Sequence, residues 1–520
     1  MPFLDWINKN QATQTVKETP YCLLRNEGIY GEDSENLLIQ GDNLLALKAL
    51  KPLYEGSIKC IFIDPPYNTK NAFAHYDDKL EHSQWLSMMY PRMALLRELL
   101  SEDGILFCTL DETELAYLTV MMDEIFGRKN NCGLLVWEKK KKPSFLNANM
   151  GGVTEYVLAY AKNRSKSPAF IGGVTTEGKK YPLNNAGNGL KTLLFKKGSI
   201  KFKCRDQVFE PQDMSDGNIK TKLLDTLEVE GGVNKDDFRL EGEWRYSQNK
   251  LDEILQNNEQ IIISKAPFRP NHIKAGGEPK KMKNLLSIAH YDMSTYEDAT
   301  SEGENLFGSD TAFDYPKPEK LIYTLINAVT EEGDLVLDSF LGSGTTAAVA
   351  HKMGRRWIGI EMGEHAKTHC IPRLEKVMSG EQGGISSLVE WTGGGGFNFC
   401  TLSSSIFDAD GAINQEVNYD TLAAFVWNFE TKRPGKAKYQ APLIGIHNNV
   451  AYYLLYNGIL GDRKPESGNV LTTKVLKLLN ELFPYDGPKV IYGEACSLGE
   501  NKLDAERITF KQIPYDINVL

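Results

Sequence analysis

Cys60-Ile61-Phe62-Ile63-Asp64-Pro65-Pro66-Tyr67 is the stretch from which the rest of this 520-residue sequence is best read. Four apolar residues in succession leave no polar face, as in a strand buried on both sides of a parallel sheet. Pro65 and Pro66 lack the amide hydrogens a ladder needs, so the strand stops there. Asp64 and Tyr67 are thereby carried at the carboxyl end of a buried strand, where open α/β sheets bind ligands. A β-turn with two stiff prolines would explain the prolines but not the flanking acid and ring. The set suits transfer to an exocyclic amine on a planar ring. Such an amine is a poor nucleophile because its lone pair is delocalised. The Asp64 carboxylate and the Pro65 carbonyl, fixed about its protons, would favour localisation of that pair. Tyr67 would stack on the ring, contributing ~1–3 kcal/mol.

Working outward, strand and helix patterns alternate on both sides of a long interruption. Leu37 to Ile39 reads as a strand ending at Gly41-Asp42-Asn43, followed by a helix over 44–53. Helical spacing of Trp85, Met88, Met89, Leu95, Leu96 and Leu99 predicts a helix over 83–100. A strand over 104–110, a helix over 112–126 and strands at 134–137 and 155–161 follow. Residues 164–306 lose the rhythm, which returns with a helix over 318–329 and the strand Leu335-Val336-Leu337-Asp338. Neither βα-rich stretch has enough strands alone, so the two are expected to complete one sheet across the interruption.

That second stretch continues Ser339-Phe340-Leu341-Gly342-Ser343-Gly344-Thr345-Thr346, glycines between a strand and a helix. They let backbone approach a ligand closely, and Glu361 ends the next strand where an acid can accept from ribose hydroxyls. The lysine of a phosphate loop is absent, so nucleoside binding is expected without a phosphate role. The expected layout is an arm over 1–30, half-domains over 31–163 and 307–379, an insert over 164–306 and a terminal unit over 380–520.

Hydrophobic content of 41% and charged content of 25% exclude wholesale disorder and collagen-like repetition. Eight cysteines without a CxxC pair make disulfides and zinc unexpected. His365 and His369 lack a third ligand, so no metal is expected. The formal charge of −10 hides an asymmetry. Between Lys139 and Arg205, fifteen Lys or Arg stand against two acids, a local +13 that resembles an electrostatic footprint for nucleic acid. Lys139, Lys140, Lys141, Lys142, Lys196 and Lys197 are the candidate phosphate contacts, and solvated lysines the bland alternative. No apolar stretch is long enough to cross a bilayer and the start lacks a secretory pattern, so a cytoplasmic location is expected.

Asp64-Pro65-Pro66-Tyr67 followed later by Phe340-Leu341-Gly342-Ser343-Gly344 resembles the amino-group DNA methyltransferases that use S-adenosylmethionine. The order of motifs resembles the circularly permuted β class, and within it the modification (Mod) subunits of type III restriction–modification systems and their solitary relatives. Asn68-Thr69-Lys70, Glu155 to Lys162, Phe313 to Ile322 and the closing Phe510 to Ile517 carry further likeness. The resemblance implies a Rossmann-like α/β sheet, an inserted target-recognition domain and a mixed α/β terminal domain. It implies adenine N6 methylation of double-stranded DNA with base flipping, in a bacterial, archaeal or phage-encoded setting. Asp64, Pro65, Pro66 and Tyr67 would be catalytic. Asp338, Phe340, Gly342, Ser343, Gly344 and Thr345 would shape the cofactor's methionine end. Glu361 would take the ribose, Asp42 the adenine and Lys317 the carboxylate of the cofactor. A homodimer and a separate restriction subunit are expectations of the same likeness. Cytosine N4 methylation, or a non-catalytic specificity subunit that keeps the fold, are the alternatives. Asp rather than Ser at 64 is the family's usual mark for adenine.

Overall fold

The computed structural model describes all residues except 1–2, 69–80, 144–148, 275, 309–312, 314, 409–411, 415, 434, 457–467 and 514–520. Thr69, Lys70, Asp314 and the closing residues 514–517 therefore lie outside the described residues. The chain divides into one unit of residues 1–170 and 283–520 and a second of residues 171–282.

The larger unit is built on a mixed sheet. We number its first elements α1 (Lys9–Glu18), β1 (Cys22–Gly31), β2 (Leu37–Gln40), α2 (Asn43–Tyr54), β3 (Ile58–Ile63), α3 (His82–Leu99), β4 (Leu100–Leu110), α4 (Leu115–Met122), β5 (Asn131–Glu138) and β6 (Thr154–Ala161). Across the sheet the order is β1, Gly396–Ser405, β2, Arg356–Glu361, Leu335–Asp338, β3, β4, β6, β5 and Leu285–Leu286. From Gly396–Ser405 to β4 every neighbour is parallel, while β6 runs antiparallel to both β4 and β5. The two halves of the alternating pattern thus meet where Leu335–Asp338 lies beside β3, with Val336 opposite Cys60 and Leu337 opposite Ile61.

Burial explains why those strands read as unbroken apolar runs. Cys60, Ile61, Phe62, Ile63, Leu106, Leu337, Ile358 and Ile360 are all buried, and Trp85, Met89, Met93 and Leu96 of α3 share one core with Ile61, Ile63, Leu106, Leu337, Ile358 and Ile360. Each fully buried apolar side chain contributes roughly 1.5–3 kcal/mol. Cys60 and Cys108 are small core residues whose burial pushes both thiols up, which makes them poor nucleophiles.

Three parts of the expected layout are corrected. Residues 1–30 are not an irregular arm: α1 and β1 occupy them, and β1 pairs antiparallel with Gly396–Ser405. Its exposed Asn26, Glu27 and Ile29 suit an edge strand, which shows no apolar run to read. Residues 283–306 leave the insert, because Leu285–Leu286 joins β5 and a capping box at Thr295 and Asp298 starts the Tyr296–Phe307 helix. Residues 396–405 likewise belong to the main sheet rather than to a terminal unit. The remaining C-terminal elements include a four-stranded sheet over 443–512, with helices Tyr419–Thr431, Thr473–Leu482 and Glu500–Ala505.

The smaller unit holds seven-, four- and two-stranded sheets and the Gln248–Gln256 helix around a core of Phe195, Phe202, Phe238, Trp244, Ile261 and Phe268. Short strands of two to six residues, offset by charged positions, explain why its sequence shows no βα rhythm. No helix among the described residues is long and apolar enough to cross a membrane.

Candidate active site

The carboxyl ends of β3 and Leu335–Asp338 lie side by side at the point where the order of strands reverses, the crevice that open sheets of this kind use for ligands. Asp64 follows β3 directly and is half-buried. Its Oδ1 accepts from the Thr109 hydroxyl of β4 at 2.6 Å, and its Oδ2 accepts from Lys317 Nζ at 2.8 Å. Trp85 Nε1 donates to the Pro66 carbonyl at 2.8 Å, tying the proline pair to α3. Asn68 Nδ2 donates to the buried Glu114 carboxylate at 2.7 Å, which holds the segment on its far side.

Tyr67 leads to a residue that carried no assignment of its own, Glu155. Glu155 is 4% exposed in β6, an acid in an otherwise apolar strand. It accepts from Tyr67 Oη at 3.1 Å, from Tyr296 Oη at 2.9 Å and from Lys139 Nζ at 3.0 Å. Lys317 Nζ stands 3.8 Å from it and donates to Tyr296 Oη at 2.9 Å. Two carboxylates and two ammonium groups therefore balance within one buried cluster. Both phenols are held well above their ordinary range, first by burial and then by the charges of Glu155 and Asp64, so they remain neutral donors.

The neighbouring turn is fixed by its own acids. Asp338 accepts from the Phe340 amide at 2.9 Å and the Thr346 hydroxyl at 2.6 Å. Gly342 and Gly344 have φ of 57° and 84°, a region costly for residues with a Cβ. A Cβ on Gly344 would also stand 3.3 Å from Cys370 Cα. Glu361 accepts from the Gly342 amide at 2.7 Å and the Gly363 amide at 3.1 Å, and pairs with His365 at 2.7 Å. Burial would raise the Glu361 carboxyl, but His365 and these amides outweigh it and hold it below its usual range. Asn43 completes the crevice, donating to the Ser339 carbonyl at 2.7 Å and accepting from Arg92.

Burial pushes the Asp338 carboxyl up to about 7, with the nearby Asp64 and Glu361 charges adding to the effect against its own hydrogen bonds. A folded value above the unfolded one means that the folded protein keeps a proton the unfolded chain releases. This group's contribution to stability therefore falls as pH rises from about 4 to about 7. Asp338→Asn should flatten the decline of melting temperature across that interval. Scanning calorimetry at several pH values checks it, and an unchanged slope would place the ionisation elsewhere.

The other expected site residues make the following contacts in the protein itself. Lys317 is 7% exposed and pairs with Asp64, as a buried ammonium needs an opposite charge. Asp42 caps α2, accepting from the Leu44 and Leu45 amides, and its other oxygen takes Arg92. Ser343 and Thr345 are buried, and their hydroxyls meet each other at 3.0 Å and Arg373. Lys139 belongs to the Glu155 cluster. Lys141 pairs at the surface with Asp298, while Lys140 is half-buried and Lys142 exposed. In the smaller unit, Lys196 pairs with Asp237, whose other oxygen takes the Lys197 amide. His365 is a buried partner of Glu361.

Thr109, Tyr296 and Glu155 were absent from the sequence-based assignment. A lone acid, Glu155, heading the run Tyr156-Val157-Leu158-Ala159-Tyr160 was the one usable signal, since a carboxylate is rarely buried without partners. Thr109 and Tyr296 reach the site only through strand pairing and a helix start.

The donor set suits a nucleoside with a cationic tail. Carboxylates at two strand ends attract hydroxyls and a positive centre and would repel phosphate. The buried Ser339 hydroxyl has no hydrogen-bond partner among the described residues, which leaves a polar atom in the turn for a ligand to satisfy.

Residues 58–371 match the family model described as DNA methylase. The chain is 33% identical over 413 residues to a probable type III restriction–modification enzyme Mod subunit of Haemophilus influenzae, covering 72% of this chain and 54% of that one. It is 31% identical to the EcoPI Mod subunit of Escherichia phage P1, covering 67% and 60%. It is 27% identical to the type II methyltransferase M.KpnI of Klebsiella pneumoniae, covering 63% and 79%. The chain thus spans about half to two thirds of the length of these type III relatives.

Proposed function

The chain belongs to the DNA methylase family, and from that premise we propose that it transfers a methyl group from S-adenosylmethionine to the N6 amine of adenine in double-stranded DNA. The observation that carries this reading is the adjacency of the Asp64–Tyr67 segment and the Gly342–Gly344 turn on neighbouring parallel strands. A single crevice then offers an amine acceptor and a nucleoside cradle together. The strand order, with the Asp64 strand earlier in the chain than its Gly-rich neighbour, supports a permuted arrangement of the motifs.

S-adenosylmethionine, when bound, supplies an electrophilic methyl group on a sulfonium. Asp338, Phe340, Gly342, Gly344 and Glu361 would hold it, the acids facing hydroxyls and positive charge. Asp64 and the Pro65 carbonyl accept hydrogen bonds from the target amine and orient its lone pair, and the Asp64 carboxylate receives the proton that nitrogen must lose. Tyr67 supplies the stacking face, and its hydroxyl bond to Glu155 stops the ring from turning. Holding both partners in near-attack geometry removes much of the entropic barrier. A paired base cannot reach this crevice, so it is extruded at a cost of a few kcal/mol.

Residues 171–282 are proposed to recognise the target sequence, and the chain is proposed to act as a type III modification subunit, with a homodimer and a separate restriction subunit as partners. Transfer of a labelled methyl group to duplex DNA, with the modified base identified after digestion, tests the central reading. Labelled N6-methyladenine supports it, label on cytosine N4 favours the alternative base, and no label overturns it.

Charge gives a second prediction. Lys140→Ala with Lys142→Ala should weaken binding to every DNA sequence alike and reduce the salt slope by about 2. Equilibrium binding across a salt series measures this, and an unchanged slope means both lysines are merely solvated. Lys139→Ala should act differently, through turnover, because its ammonium belongs to Glu155.

A further inference from the structure

On the reading of the site just given, we propose that Lys317 is a specificity-determining residue: it occupies the target-base seat in the base-free protein and has to be displaced by the incoming amine. The seat has two parts, the Asp64 carboxylate and the face of Tyr67. The Lys317 ammonium takes both at once, 2.8 Å from Asp64 Oδ2 and 5.0 Å from the centroid of the Tyr67 ring. It also lies 5.2 Å from the centroid of Tyr296, whose hydroxyl it reaches at 2.9 Å. A stacked base and this ammonium cannot share that space.

Displacement is affordable because a second carboxylate is close. Glu155 stands 3.8 Å from Lys317 Nζ, so the ammonium can shift within the cluster without becoming an unpaired buried charge. Asp64, however, loses its cation when the lysine leaves. A base with an exocyclic amine returns N–H donors to that carboxylate. A base presenting a carbonyl there, such as thymine, sets oxygen against oxygen. The lysine thus makes the amine a condition of entry rather than only of reaction. It resists every base equally until the carboxylate is repaid in hydrogen bonds.

The experiment uses the full chain and a duplex whose sequence context is first read from the methylation pattern of a host carrying the gene. The probe places 2-aminopurine at the methylated position; it stacks like adenine but lacks the C6 amine. Lys317→Met should raise the fluorescence of the bound probe at least threefold over wild type and leave S-adenosylmethionine affinity within twofold. Lys317→Arg, which keeps the cation, should behave as wild type. Unchanged fluorescence in Lys317→Met overturns the proposal. So does a tenfold loss of S-adenosylmethionine affinity, which would return Lys317 to the cofactor's carboxylate. A parallel arm gives wild type the same duplex with adenine and labelled cofactor. Absence of transfer there overturns the proposed function itself, whereas transfer without the fluorescence change sinks only the role of Lys317.

Discussion

Asp64→Ala lowers methyl transfer by at least ~10²–10³-fold, while the variant stays folded and still binds S-adenosylmethionine. The size follows from losing one preorganised group aimed at charge that develops only in the transition state. Without this carboxylate the amine keeps its delocalised lone pair and has no nearby acceptor for its proton. Stability should change little, because Asp64 is only half-buried and Lys317 has Glu155 within 3.8 Å as an alternative partner. The cofactor-side residues also keep their contacts, since Asp338 and Glu361 make theirs within the Gly-rich turn and its flanks. Single-turnover transfer of a labelled methyl group, with calorimetric titration of the cofactor, separates the two effects. Turnover within tenfold of wild type would remove Asp64 from the chemistry.

The largest expected loss of stability lies behind the turn. Glu319, 2% exposed, accepts from Lys352 at 2.8 and 3.1 Å, from Arg373 at 2.9 Å and from the Ile385 amide at 3.0 Å. Burial would raise its carboxyl, but Arg373 and Lys352 hold it below the usual range. Arg373 in turn donates to Thr345 at 2.8 Å, the first residue of the Thr345–Lys352 helix that follows Gly344. Removing one partner of a buried ion cluster leaves uncompensated charge and costs about 3–5 kcal/mol. Glu319→Ala should therefore lower unfolding free energy by about that much in urea denaturation. It should also weaken cofactor affinity, because the cation that steadies the turn loses its anchor. A change under about 1 kcal/mol would mean that Glu381, also paired with Lys352, suffices alone.

Much of the architecture could be read in one dimension because its causes are local. Ile61 to Ile63 and Leu335 to Leu337 lack a polar face, and only a strand covered on both sides accommodates that. Pro65 and Pro66 end one run, and Gly342 and Gly344 shape the turn that follows the other, so the positions of Asp64 and the nucleoside turn followed from backbone chemistry. β1 escaped notice because an edge strand with exposed Asn26 and Glu27 carries no such pattern. The smaller unit escaped for a related reason: its strands are held by distant partners, as Ile200–Phe202 is by Gln260–Ile263.

The amino-acid order alone settled which residues could do chemistry, because strand periodicity, proline and glycine act over a few neighbouring positions. What those residues touch was decided in three dimensions. Lys317 lies 253 positions from Asp64 and Tyr296 lies 141 from Glu155, yet each pair is in hydrogen-bond contact. A long side chain in a buried site takes whichever opposite charge the fold brings nearest, since leaving it unpaired costs more than any local preference returns. That choice is made by packing, and no short window of sequence contains it.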